Sequence, residues 1–189
     1  MFSHKIEKNI ELRLLEPHDA EELNALIEQN FNHIKKWAAW LKDDSSIANT
    51  HAFIKRNLKQ FADNEGFAVG IWYENEMAGQ IEYNYLDWKN RKTEIGFWLG
   101  ESFQGRGLAT KSCRALIDYA FGEINLNRVE MRCGTENTKS REIARKLGFT
   151  EEGIIRHAEW LHEHFVDFVV YGMLESEWFG IDCETRKGS

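Results

Sequence analysis

The 189-residue sequence has a single proline and no stretch rich in serine, glycine and proline. Nothing in it reads as a linker, and the length suits one domain with a real core better than two. No apolar run approaches the roughly 20 residues of a membrane-spanning helix. The opening MFSHKIEKNIEL also lacks the apolar stretch of a secretion signal. Cysteine is scarce: Cys113, Cys133 and Cys183 are odd in number and form no C-x-x-C pair. That speaks against a structural zinc and for free thiols in a reducing, cytoplasmic setting. Excess positive charge is absent too; the formal charge of −7 argues against a general nucleic-acid binder. The expected organisation is one domain over residues 1–180, followed by a polar tail at 181–189.

What is present is aromatic, with seven tryptophans, and is organised around residues 94–121, EIGFWLGESFQGRGLATKSCRALIDYAF. This stretch reads as a strand, a glycine-bearing loop and an amphipathic helix. Ala109, Cys113, Leu116, Ile117 and Ala120 form one stripe at helical spacing. Gly105 and Gly107 permit positive φ or close approach of a ligand. Free N–H groups at a helix start, at the positive end of its dipole, suit a phosphate, and Arg106 adds charge there. The loop lacks the G-x-x-x-x-G-K-[ST] of a nucleotide-triphosphate cradle. As a dinucleotide fingerprint it is poor, because Thr110 stands at the third glycine position and the next strand carries only Glu130, in its middle.

The remaining chain reads in order as follows. Ile10 to Glu16 is a short strand. A helix starts near Pro17, with Asp19 as cap and Leu23, Leu26 and Ile27 on its apolar face. IKKWAAWL (34–41) reads as a second helical piece with Trp37 and Trp40 on one side. A longer helix spans about 49–63, with Ala52, Phe53, Arg56, Leu58 and Phe61 as its stripe. Residues 66–73 and 77–86 form a hairpin across Glu74-Asn75-Glu76. After the central helix comes a strand at 128–133. A short helix capped by Asn137 then stops at Gly148, and a hairpin of 153–160 with 165–174 follows. This order predicts a mixed α/β fold around one central sheet.

Two runs carry a resemblance. Gln104-x-x-Gly107-x-Ala109 after IGFWL resembles the acetyl-CoA pyrophosphate loop of the GNAT superfamily of N-acetyltransferases. Cys133-x-x-x-Asn137-x-x-Ser140 resembles the corresponding run of its ribosomal-protein-serine branch. The likeness extends from Ile10 to Tyr171. It implies an α/β (α+β) GNAT fold with a mixed, mostly antiparallel sheet flanked by helices and a cofactor wedge between the fourth and fifth strands. It implies acetyl-CoA as co-substrate, no metal, a primary amine as acceptor (a protein N-terminus in that branch) and a homodimer. Trp98 and Leu99 would pair with the carrier arm through their backbones. Gln104, Gly105, Arg106, Gly107, Leu108, Ala109 and Thr110 would hold its pyrophosphate, and Asn137 would contact the arm. Ser140 would serve the departing sulfur as acid, and Glu159 would be the base. Trp37, Trp40 and Trp160 are candidate walls of the acceptor site. Without the likeness, Asn137 is only a cap, Ser140 a solvated first-turn serine and Glu159 an exposed strand acid. His157, His162 and His164 span a turn without a completing carboxylate or thiol, which reads against metal. An acetyltransferase of a small amine or antibiotic and a non-catalytic acyl-CoA-binding protein remain the rival readings.

Overall fold

The computed structural model describes residues 3–41 and 45–185. Part of the loop expected at 42–46 and the last residues of the expected tail, 186–189, lie outside the described residues. The strands are β1 (Ser3–Glu7), β2 (Ile10–Leu14), β3 (Phe67–Tyr73), β4 (Glu76–Asp87), β5 (Lys92–Leu99), β6 (Arg128–Gly134), β7 (Thr150–Leu161) and β8 (His164–Leu174). The helices are α1 (Ala20–Gln29), α2 (Phe31–Lys35), α3 (Ile47–Ala62), α4 (Leu108–Gly122), α5 (Thr138–Lys146) and α6 (Glu175–Thr185). All eight strands join one sheet in the order β1-β2-β3-β4-β5-β6-β8-β7. Every pairing is antiparallel except that of β5 with β6. That one parallel pair needs a crossover, and α4 supplies it.

The β3–β4 hairpin turns at Glu74 and Asn75, both with positive φ, as a two-residue hairpin turn requires. The expected stripe of α4 is buried throughout, Cys113, Ile117 and Ala120 fully so. Tyr83 of β4 is buried against α4 and donates its hydroxyl hydrogen to the Leu116 carbonyl. Successive strand residues face opposite sides, so Glu82 and Asn84 look the other way, toward α3.

Several expectations are corrected. β1 is an additional strand, so the fourth and fifth expected strands are β5 and β6. α6 covers residues 175–180, to which no element was assigned, and runs on into the expected tail. Its Trp178 is 1% exposed, donates to Asp118 Oδ1 at 2.7 Å and lies under the Arg114 guanidinium. The helix at 34–41 ends at Lys35, where Trp37 N–H bonds the Ile34 carbonyl in a tight turn. Trp37 and Trp40 stay exposed, at 42% and 55%. In α3 the buried face is Thr50, Ile54 and Asn57, while Ala52, Arg56 and Phe61 are exposed. Thr50 donates to Asn24 Oδ1 of α1 at 2.9 Å on the same face as the buried Ile54, while Phe53 and Leu58 of the expected stripe are partly buried against the core.

β5 pairs with β6 only at Lys92, Thr93 and Glu94, opposite Arg128, Val129 and Glu130. Beyond these residues the strands part, although β4 still pairs β5 out to Leu99 and β8 still pairs β6 out to Gly134. Gly79 fixes the outer edge of the opening. A Cβ there would meet the Trp98 carbonyl oxygen at 2.2 Å and Leu99 Cα at 2.9 Å, both backbone. Gly79→Ala is therefore expected to cost about 1–3 kcal/mol by overpacking, read as a lower midpoint in urea denaturation. A midpoint equal to the wild type's would show that β4 can shift away from β5 freely.

Candidate active site

The opening between β5 and β6 widens into a cleft of about 1030 Å³. Its walls are β4, β5, β6, the 104–110 loop, α2, α5 and the β7–β8 hairpin. Gly105 and Gly107 have φ of +75° and +76°. No atom lies within 4 Å of where a Cβ on Gly105 would sit, and at Gly107 only the Lys111 side chain approaches, at 3.9 Å. The left-handed glycines thus lead into α4 with open space above the loop, and the first N–H groups of α4 have no intrahelical acceptors. These residues fit a diphosphate group.

Of the expected carrier contacts, Trp98, Leu99, Gln104, Gly105, Gly107, Leu108, Ala109, Thr110 and Asn137 line the cleft. Arg106 does not: its guanidinium sits over the Tyr73 ring, 5.3 Å from the centroid. Gln104 reaches across the mouth instead. Its amide nitrogen is 2.6 Å from His33 Nε2, and its carbonyl accepts from Lys139 Nζ at 2.8 Å. On α5, Asn137 Oδ1 caps the helix by accepting from Ser140 N–H at 3.2 Å. Ser140 faces the cleft from the first turn.

The opposite end of the cleft is acidic. Glu159 lines it, partly buried, and loss of water raises its pKa. Trp37 and Trp40 line the same cleft; Trp160 does not, being packed edge-on against Phe165 with 54% of its surface exposed. His157 also lines it, its ring stacked on Phe165 and its backbone N–H donated to Asp167 Oδ1 at 2.7 Å. His162 points elsewhere, its Nε2 2.9 Å from the Lys35 carbonyl. Among the described residues no group of three or more His, Cys, Asp or Glu side chains is arranged to hold a metal ion.

Nothing in the sequence pattern singled out Glu82, Glu94 or Arg132. Glu82 stands opposite Gly96 in the β4–β5 register, just past the point where β5 leaves β6. Burial pushes its pKa up to about 7; Arg56 opposes the rise and Glu94 adds to it. Glu94 is held by Asn84 Nδ2 at 2.9 Å and Arg132 Nε at 3.2 Å. Burial nonetheless raises its pKa, with Glu130 and Glu159 contributing. Arg132 also donates to Glu130 at 3.1 Å, so this cation is fully engaged. Cys133 is 4% exposed, and burial pushes its thiol up to about 12. It therefore lines the cleft as a neutral side chain.

A glycine loop that fits a diphosphate, a split parallel pair and a cluster of desolvated carboxylates suit transfer of an activated acyl group to a cationic amine. Comparison with known proteins agrees. Residues 9–150 match the acetyltransferase (GNAT) domain model. YdaF of Bacillus subtilis strain 168, provisionally named a ribosomal N-acetyltransferase, is 41% identical over 182 residues, which are 95% of this chain and 99% of YdaF. The ribosomal-protein-serine acetyltransferase of Escherichia coli K12 is 27% identical over 90% of this chain and 95% of its own length. A solved structure of RimL, named as a ribosomal L7/L12 alpha-N-protein acetyltransferase with coenzyme A bound through a disulfide, superposes with a TM-score of 0.89. It is 26% identical and covers 93% of this chain and 99% of that one. The chain belongs to the GNAT family of acetyltransferases.

Proposed function

We propose that this protein uses acetyl-CoA to acetylate a primary amine, the N-terminal α-amine of a ribosomal protein or a similar chain. The wedge between β5 and β6, with the glycine loop at one end and Glu159 at the other, carries this reading. The names of the relatives support the protein acceptor. On this reading residues 1–180 act as one unit, in the cytoplasm and as a homodimer, as the resemblance implies.

Bound acetyl-CoA would supply an activated thioester carbonyl. The chain's own residues do the rest. The loop N–H groups of 104–110 hold the diphosphate, and the backbones of Trp98 and Leu99 orient the arm. Glu159 takes a proton from the ammonium, because only the neutral amine attacks. Ser140 Oγ, at the positive end of α5, offers a hydrogen to the departing thiolate. A second reading of the base rests on one observation: Glu82 is the more deeply desolvated carboxyl and lies beside the point where the strands part. A base whose pKa lies near the working pH is the better catalyst.

An α-amine has a reference pKa of about 7.7–8.0 against about 10.4 for a lysine side chain. A carboxylate base serves the former more readily. Peptides beginning with Ser or Ala should therefore be acetylated faster than N-blocked peptides with an internal lysine, as read by mass spectrometry of the products. A clear preference for lysine would overturn the N-terminal reading and leave the fold untouched.

The two carboxylates are separable by substitution. Glu159→Gln should lower kcat by about 10²–10⁴ at neutral pH, with part of the loss recovered at high pH, where more of the amine is already neutral. If Glu82 is the base, Glu82→Gln shows that behaviour instead and Glu159→Gln keeps the wild-type pH–rate profile. Glu82 carries its own stability signature. Its folded pKa of about 7 lies above its ordinary value of 4.5, so between these values the folded state binds the extra proton and stability falls as pH rises. Glu82→Gln should thus raise the melting temperature more at pH 8 than at pH 5.

A further inference from the structure

We propose that Lys139 is the cation that meets the phosphates of the acyl carrier, an inference that rests on the acetyl-CoA reading above. The loop's own arginine is turned away: Arg106 lies over Tyr73, outside the cleft. Lys111, one turn into α4, is bound to Glu7 at 2.8 Å. Among the described residues, the Lys and Arg side chains that line the cleft are Arg132, Lys139 and Lys146. Arg132 is already shared between Glu94 and Glu130. Lys146 is the last residue of α5, where a cation is favoured by the helix dipole and needs no other explanation.

Lys139 has no such explanation. It is the second residue of α5, in a first turn with no acidic side chain, where the dipole opposes a positive charge. Its Nζ rests on the neutral carbonyl oxygen of Gln104, the first residue of the glycine loop. The charge therefore stands at the start of the 105–110 loop, held there by the Gln104 side chain, with no carboxylate ion-paired to it among the described residues. A phosphate at that loop would draw Nζ from the amide oxygen, because a charge-assisted bond is roughly twice as strong as a neutral one. The ligand chemistry is a phosphate ester, with two sources on one molecule: the diphosphate bridge and the ribose 3′-phosphate.

The test is isothermal titration calorimetry with coenzyme A, 3′-dephospho-coenzyme A and S-acetylpantetheine, on the wild type and on Lys139→Met, which keeps the length of the stem. Coenzyme A affinity should fall roughly ten- to hundredfold in the variant. The slope of log Kd against log salt should flatten, and S-acetylpantetheine affinity should be unchanged. An equal loss with the dephospho compound assigns Lys139 to the diphosphate; a loss confined to coenzyme A assigns it to the 3′-phosphate. Lys139→Arg should restore most of the affinity. A Lys139→Met protein that binds coenzyme A within twofold of wild type overturns the proposal, and so does an equal loss for S-acetylpantetheine. If the wild type binds none of the three, the acetyl-CoA reading itself falls, which the calorimetry distinguishes from a failure of Lys139 alone.

Discussion

β5 and β6 stop pairing after Glu94 and Glu130, although both strands run on, to Leu99 and Gly134. Each is anchored on its far side, β5 to β4 and β6 to β8. The sheet is in effect two half-sheets welded at three residue pairs and held apart beyond them. Arg132 tightens the weld by bonding Glu94 on one strand and Glu130 on the other. Past it, backbone N–H and C=O groups on the facing edges have no ladder partner. Such groups bond water in the open cleft or an extended ligand laid along it. α4 lies at the same place, because the crossover from β5 to β6 must begin at the mouth of the split. Its free N–H groups then open into the same cleft.

Charge is uneven along the cleft. Toward the loop lie Lys139, the α4 terminus and the cap of α5, although Glu136 before that cap and Glu142 on α5 also line the cleft. Toward the β7–β8 hairpin lie Glu82, Glu94, Glu159 and Asp167. The formal charge of −7 thus has a local counterpart. Loss of water, with a smaller contribution from neighbouring carboxylates, raises the pKa of Glu82 and Glu94, and loss of water alone raises that of Glu159. Glu130 behaves differently: burial alone would raise its pKa, but hydrogen bonds from Arg128 and Arg132 hold it low. Carboxylates a strand apart therefore divide into two acids held by cations, Glu130 and Glu94, and two, Glu82 and Glu159, available to a ligand.

How much of this was legible depended on the range of the interaction. The α4 stripe, the Asn137 cap, the Gly148 stop and the Glu74-Asn75 turn are decided within a few residues, and each is visible in the sequence. The direction of Arg106 depends on Tyr73, more than thirty residues away. α6 lacks a clear apolar period, and its place is set by Trp178 meeting Asp118 and Arg114 of α4. Glu82 looked like any polar residue in an alternating strand. Its importance comes from register, since Gly96 opposite it presents no side chain and β6 has already departed. The rotation of α3 was legible only in part: Phe53 and Leu58 do pack against the core, but the most buried face runs through Thr50, Ile54 and Asn57, where Thr50 meets Asn24 of α1.

The chemistry of the side chains in the wedge bears on how an acyl group could cross it. A covalent relay would need an activated nucleophile. With its thiol pushed up to about 12 by burial, Cys133 stays a neutral thiol at neutral pH. Ser140 has no carboxylate or imidazole bonded to its hydroxyl among the described residues; its backbone N–H goes to Asn137. Neither is prepared to attack. What the site does supply is a set of desolvated carboxylates facing a phosphate cradle across an open wedge, an arrangement that helps only when amine and thioester are present together. On the proposed reading, transfer is therefore direct. The glycine loop and the carboxylate end of the cleft are then the seats of the two substrates of one ternary complex.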